Sequence, residues 1–271
     1  MKLACNYYPE TEELVRTGAA DIDYFKFPAL GFQMDILNDA QAFEDFATRV
    51  TALRPILLHG LYPSCDLSDA ALAQGFDFAA MDRLLRLTKS PGISVHPGAE
   101  KRAPQLDILL ENLRLLRERY ADMAFVAVEN MPNRKSGDLI LPEVITRIVR
   151  ESGCEFLLDI SHAYCAARCL GMGFREYLFR LPLERVYEIH INGWAEKGGD
   201  IMCHVKINAQ GYQILRELLI RCTPQIVTIE YGRHNDRIGC GCPVLRPGER
   251  NPAAMEEIAQ QVYKIREIID K

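Results

Sequence analysis

AFVAVEN at residues 124–130 and CEFLLDISH at residues 154–162 decide the reading of the fold. Each holds a short apolar run that stops at an acid, Glu129 in the first and Asp159 in the second. Between them, Leu141–Glu151 carries apolar residues at helical spacing. Pro142 sits near its start, where a missing N–H costs nothing. A nearly continuous apolar strand is what burial on both faces requires.

The same unit recurs in both directions along the chain. Besides Ala124–Glu129 and Glu155–Asp159, strand candidates are Lys2–Asn6, Ile22–Pro28, Ile56–His59, Ile93–His96, Val186–His190 and Ile226–Glu230. Amphipathic stretches Ala40–Leu53, Asp77–Leu87, Pro104–Tyr120, Gly211–Arg221 and Pro252–Asp270 lie between and after them, with Asn208 and Asn251 placed to cap helices. Strands alternating with helices predict an α/β fold, a (β/α)₈ TIM barrel formed as one domain over residues 1–271. The alternative, a doubly wound open sheet, lacks its usual signal, because no G-x-G-x-x-G follows the first strand.

Composition removes other classes. The 271 residues are 48% hydrophobic and 25% charged, which excludes disorder, collagen and coiled coil. Lys and Arg number 32 against 37 Asp and Glu, a formal charge of −5, so nucleic acid is not an expected partner. The longest apolar runs, such as Ile56–Leu58 and Met123–Val128, fall far short of the ~20 residues of a membrane span. Residues 1–8 lack the apolar core of a signal peptide, from which a cytoplasmic location is expected. Nine irregularly spaced cysteines do not suggest a disulfide framework. Cys165 and Cys169 fall on one helix face, and Cys240-Gly241-Cys242 alone is a weak zinc signal, so reduced thiols are the default.

The chemistry shows at the strand ends. Strands three to eight end in His59, His96, Glu129, Asp159, His190 and Glu230. In a barrel these ends converge on one mouth, where active sites lie. Carboxylates beside apolar strands are expensive to desolvate unless paired or bound to a cation, and three around one rim repel each other. Carboxylate and imidazole together suit zinc, iron, manganese and similar divalent ions. His162, three residues after Asp159, and His204, in a loop after strand seven, extend the set of candidate ligands. Lys26 in the second strand is a candidate for substrate contact or for neutralising carboxylates. Arg233, with His234 and Arg237 beyond strand eight, is a candidate anion clamp. Trp194 is expected to pack.

These residues resemble the xylose isomerase-like metal-dependent TIM barrels, which include sugar isomerases and epimerases, type IV apurinic endonucleases and, more remotely, multinuclear non-haem iron oxidases. The resemblance rests on Glu129, Asp159 with His162, His190 and Glu230, and on the phrases Glu129-Asn130-Met131-Pro132 and His96-Pro97-Gly98. It implies Glu129, Asp159, His190 and Glu230 as core ligands of a divalent metal (Zn, Mn, Fe or Mg). His59 and His96 resemble the extra ligands of the multinuclear branches. Met202 stands where an Asp-x-His pair of the endonucleases would begin, which argues against a complete third site.

The resemblance implies a sugar or sugar-phosphate isomerase or epimerase. Glu129 and Glu230 would move protons to and from carbon, and His162 would orient a hydroxyl. The alternative is a multinuclear hydrolase of the endonuclease IV type, or a non-haem iron oxidase. The expected partner is a small molecule, and a homodimer is the default oligomer.

Overall fold

A computed structural model describes residues 1–28, 36, 37, 39–70, 72, 75–98, 105–197, 200–232 and 250–270. Eight parallel strands close into a barrel: β1 (Lys2–Asn6), β2 (Tyr24–Phe27), β3 (Ile56–His59), β4 (Gly92–Val95), β5 (Phe125–Glu129), β6 (Glu155–Asp159), β7 (Val186–Ile191) and β10 (Ile226–Ile229). Each pairs with its neighbours in chain order, and β10 closes the ring on β1 and β7. The helices between and after the strands are α1 (Pro9–Arg16), α2 (Ala40–Thr51), α3 (Phe78–Thr88), α4 (Leu106–Arg119), α5 (Pro142–Ser152), α6 (Ile160–Leu170), α7 (Phe174–Leu178), α8 (Ala209–Leu219) and α9 (Pro252–Ile269). The (β/α)₈ barrel expected from the alternation is the fold.

The strands sort their residues by parity. One set, including Leu3, Phe25, Leu58, Val126, Leu158, Ile189 and Val227, packs outward in the main core with the helices. The alternate set points inward. Ala4, Leu57, Phe125, Ala127, Leu157 and Ile226 form a separate apolar plug, with Tyr24 and Tyr187 against it. Phe125 stacks on Tyr187 at 4.5 Å between centroids. Gly92 is required there, because a Cβ on it would lie 2.3 Å from the Phe125 ring and 2.5 Å from its carbonyl oxygen. The plug closes one end, so every inward residue further along the strands is polar or charged and belongs to the mouth.

The expected caps are in place. Asn208 accepts from Gly211 N–H, Asn251 from Ala253 and Ala254 N–H, and Pro142 opens α5. One element lies outside the expected alternation. After β7 the chain makes an antiparallel hairpin, β8 (Gly193–Lys197) with β9 (Asp200–Val205), before α8. Gly193 is required by the close approach of the chain at β9's end, since a Cβ there would stand 1.9 Å from the Lys206 carbonyl oxygen. Trp194 packs on Tyr164 and Phe174, with centroids at 4.8 and 5.5 Å. Among the described residues no helix is long and apolar enough to cross a membrane.

Candidate metal centre

Inward parity carries His59, Glu129, Asp159, His190 and Glu230 from successive strand ends to one place, and His96 follows β4 by one residue. Three groups of donor atoms result, each with its atoms within 4.8 Å of one another. They are His59, His96 and Glu129; Asp159, His162 and His204; and Glu129, Asp159, His190 and Glu230. Glu129 belongs to two groups and Asp159 to two, so the three sets form one continuous cluster. All members are buried except His96, whose side chain is 43% exposed.

The contacts of Glu129 are diagnostic. Its Oε2 stands 3.2 Å from His59 Nε2 and 3.2 Å from His96 Nε2, and its Oε1 stands 3.2 Å from His162 Nδ1. Yet neither oxygen has a hydrogen-bond partner in acceptable geometry, although both are buried. Leaving a buried carboxylate in that state is costly. Donors bound to a shared ion at about 2.0–2.1 Å, with tetrahedral or octahedral angles, stand about 2.9–3.4 Å apart without pointing at each other. The residues present therefore fit a divalent cation between Glu129, His59 and His96.

Neighbouring groups hold the donors in place. β6 runs directly into α6, with Asp159 as the cap: its Oδ1 accepts from His162 N–H at 2.7 Å and from the Ser161 hydroxyl at 2.9 Å. The Asp159–His162 pair thus spans a strand-to-helix junction. Asn130 stitches β5 to β6: its amide oxygen accepts from Asp159 N–H at 2.8 Å, and its NH₂ donates to the Asp159 carbonyl at 3.0 Å. The Asn130 carbonyl lies 2.9 Å from His162 Nδ1, and Asn192 donates to Asp159 Oδ2 at 2.9 Å. His204 belongs to β9, not to a loop. It has φ 59° and is buried, and its Nε2 lies 3.1 Å from Glu230 Oε2. Its backbone carbonyl accepts from Gly232 N–H at 2.7 Å, which ties the hairpin to the mouth.

Electrostatics split the histidines. Burial drives His59 down to about 3, a neutral imidazole. For His162 the same burial is outweighed by the Asp159 and Glu129 carboxylates, which raise it to about 10. His190 is likewise raised well above its ordinary value, with burial overcome chiefly by Glu230. Burial pushes Glu129 and Glu230 up, but surrounding imidazoles hold both well below the usual carboxylate range. Asp159 is raised by burial beside Glu230 and Glu129, despite His162.

Beneath the cluster lies a polar layer. Lys26 Nζ donates to Ser94 Oγ at 2.9 Å and to the two Glu188 oxygens at 2.8 and 2.9 Å. Lys26 is 1% exposed and pairs with the Glu188 carboxylate. Arg233, His234, Arg237, Cys240 and Cys242 lie outside the described residues. Glu188, Ser94, Asn130 and Asn192 were not foreseen as site residues. Strand parity could have found Glu188, two before His190, and Ser94, two before His96.

In fold the chain is a TIM barrel, and solved metal-dependent barrels are among the structures it is similar to. The IolI protein solved with a zinc atom matches with a TM-score of 0.63 and 14% identity, over 100% of both chains. A D-tagatose 3-epimerase-like protein matches with a TM-score of 0.55 and 16% identity, over 98% of both chains. Closer in sequence, a family model described as "RiPP precursor modification enzyme MbnB/TglH/ChrH" matches residues 105–237. That span contains Glu129, Asp159, His162, His190, His204 and Glu230. A UPF0276 protein of Paraburkholderia phytofirmans is 33% identical over 103 residues, 35% of this chain and 34% of that relative. The chain thus matches about a third of that relative's length.

Proposed function

We propose that this chain is a multinuclear metal-dependent enzyme that modifies a peptide, its substrate being a precursor peptide of the kind named by the matching family model. The observation that carries this reading is the sharing of Glu129 and Asp159 between donor groups. A single-ion isomerase needs only Glu129, Asp159, His190 and Glu230. It gives no reason for His59 and His96 to converge on the far oxygen of Glu129, or for His204 to join Asp159 and His162. His204 with Asp159 also completes a third group despite Met202. Imidazole mixed with carboxylate suits iron, zinc or manganese, and iron agrees best with the oxidase branch that the resemblance includes.

Bound ions would supply Lewis acidity and, for iron, redox capacity at the mouth. The chain's own residues do the rest. Glu129, with its two oxygens facing different groups, fixes the spacing between sites. Asn130 and Asn192 lock the Asp159 carboxylate. The apolar plug below keeps water from entering at the closed end. His96, half open to solvent, marks the side from which a peptide reaches the centre.

The zinc-bound IolI and the epimerase-like neighbours keep the sugar isomerase as the second reading. Metal analysis of protein purified without added metal separates the two. Two or more ions per chain, one of them lost in His96→Ala, is the expected result. A single ion, retained in His96→Ala, together with interconversion of aldoses and ketoses or their phosphates, would overturn the proposal.

A further inference from the structure

We infer that Lys26, Glu188 and Ser94 form a positioning layer that selects the ligating nitrogen of His59 and of His190, each for a different ion. The inference rests on the metal reading above. Glu188 lies two residues before His190 on β7 and so points inward one step deeper. His190 Nε2 is 3.2 Å from Glu188 Oε1, while its Nδ1 faces Glu230 at 3.1 Å, Glu129 at 3.6 Å and Asp159 at 3.9 Å. With an ion shared between Nδ1 and Glu230, the one remaining ring proton sits on Nε2, and Glu188, which can only accept, holds it there.

His59 is set by the same logic with a different partner. Its Nδ1 is 2.9 Å from Ser94 Oγ, and its Nε2 is 3.2 Å from Glu129 Oε2. Ser94 Oγ accepts from Lys26 and keeps a second lone pair for His59 Nδ1, 2.9 Å away; with an ion on Nε2 the ring proton sits on Nδ1 and that lone pair takes it. Nε2 is then free for the group with His96.

Lys26 joins the two halves. Its three ammonium protons go to three acceptors, one on Ser94 and two on Glu188. Thr228 donates to Glu188 Oε1 at 2.6 Å. Lys26 is 1% exposed, and Ser94, Glu188 and Thr228 are fully buried, so water does not compete for these bonds. Lys26 is on this reading a positioning residue acting on two sites at once, and not a substrate contact.

The test uses the full chain loaded with cobalt(II), following stoichiometry, affinity by chelator competition, and visible absorption. His96→Ala identifies the ion of the first group. Ser94→Ala should weaken that ion about 10–100-fold and shift its absorption, leaving the ion at His190 unchanged. Glu188→Gln should do the reverse. Ser94→Thr, which keeps the hydroxyl, should restore the wild-type affinity and spectrum. Circular dichroism verifies folding; should Glu188→Gln not fold, the serine pair decides. Equal weakening of every ion in Ser94→Ala, or no change at any, overturns the layer. A wild-type chain that binds no cobalt ends the metal reading instead, and the two failures are distinct.

Discussion

Two adjacent layers of the barrel interior are built from inward positions of the same strands. In the deeper one, Lys26, Ser94, Glu188 and Thr228 pair completely with one another and with the histidines above. In the upper one, Glu129, Asp159, His190 and Glu230 crowd acids and imidazoles together, and Glu129 is left with two buried oxygens that no hydrogen bond satisfies. Burial is equal in the two, so burial alone does not account for the contrast. The deeper layer contains its own cation. The upper layer gathers donor atoms that fit a cation supplied from outside the chain. A buried polar network that closes on itself is structural, and one that converges without closing marks a binding site.

The largest break in this comparison is Glu129→Gln. It removes the charged group shared by two donor sets. Turnover should be abolished, and metal affinity at both sets should fall by more than the ~100-fold upper range seen for outer partners. Metal analysis and assay on the variant check this; near-normal content and activity would make Glu129 structural.

Next is Lys26→Met, which strikes the closed layer. It leaves the Glu188 carboxylate buried without its cation, and should cost about 3–5 kcal/mol of stability. Denaturant unfolding measures it. The double variant Lys26→Met/Glu188→Gln should recover part of the loss, because the uncompensated charge is gone.

The smallest effect is a pH slope that differs between donor groups. In the metal-free chain the raised His162 keeps its proton up to about pH 10, and metal uptake must displace it. Affinity at the Asp159–His162–His204 group should therefore rise with pH, by up to about tenfold per unit, between about 6.5 and 10. His59, lowered to about 3, is already neutral over that range and adds no such slope to its group. Proton release on metal titration distinguishes them.

Much of this was legible in the sequence, for a physical reason. A barrel strand must be apolar where it is buried on both sides, so the residue at which the run stops is the one at the mouth. That rule finds His59, Glu129, Asp159, His190 and Glu230 without coordinates. It fails where function sits inside the run: Glu188 and Ser94 interrupt apolar strands and are tolerated only because Lys26 lies across the barrel, a contact of 162 residues' separation for Glu188. The hairpin β8–β9 was missed because β7 was taken to lead by a loop to α8. In sequence, a Gly-Gly pair between two short runs is a hairpin signal. With the hairpin unread, His204 was placed in a loop, although its inclusion among the candidate ligands agrees with where it lies.

His96 differs from the other donors in one way that concerns time and not equilibrium. The remaining candidate ligands are buried, and a cation among them would leave only when backbone or packing yields. A side chain 43% exposed can rotate into water on its own. An ion held partly by His96 would then trade ligands with solvent one at a time, and would be the fast-exchanging member of the cluster. The ions held by Asp159, His190 and Glu230 would be slow residents. Such a centre would lose its metals in sequence, so a preparation handled with chelator could pass through a partly loaded state in which the deeper positions are filled and the entrance is bare.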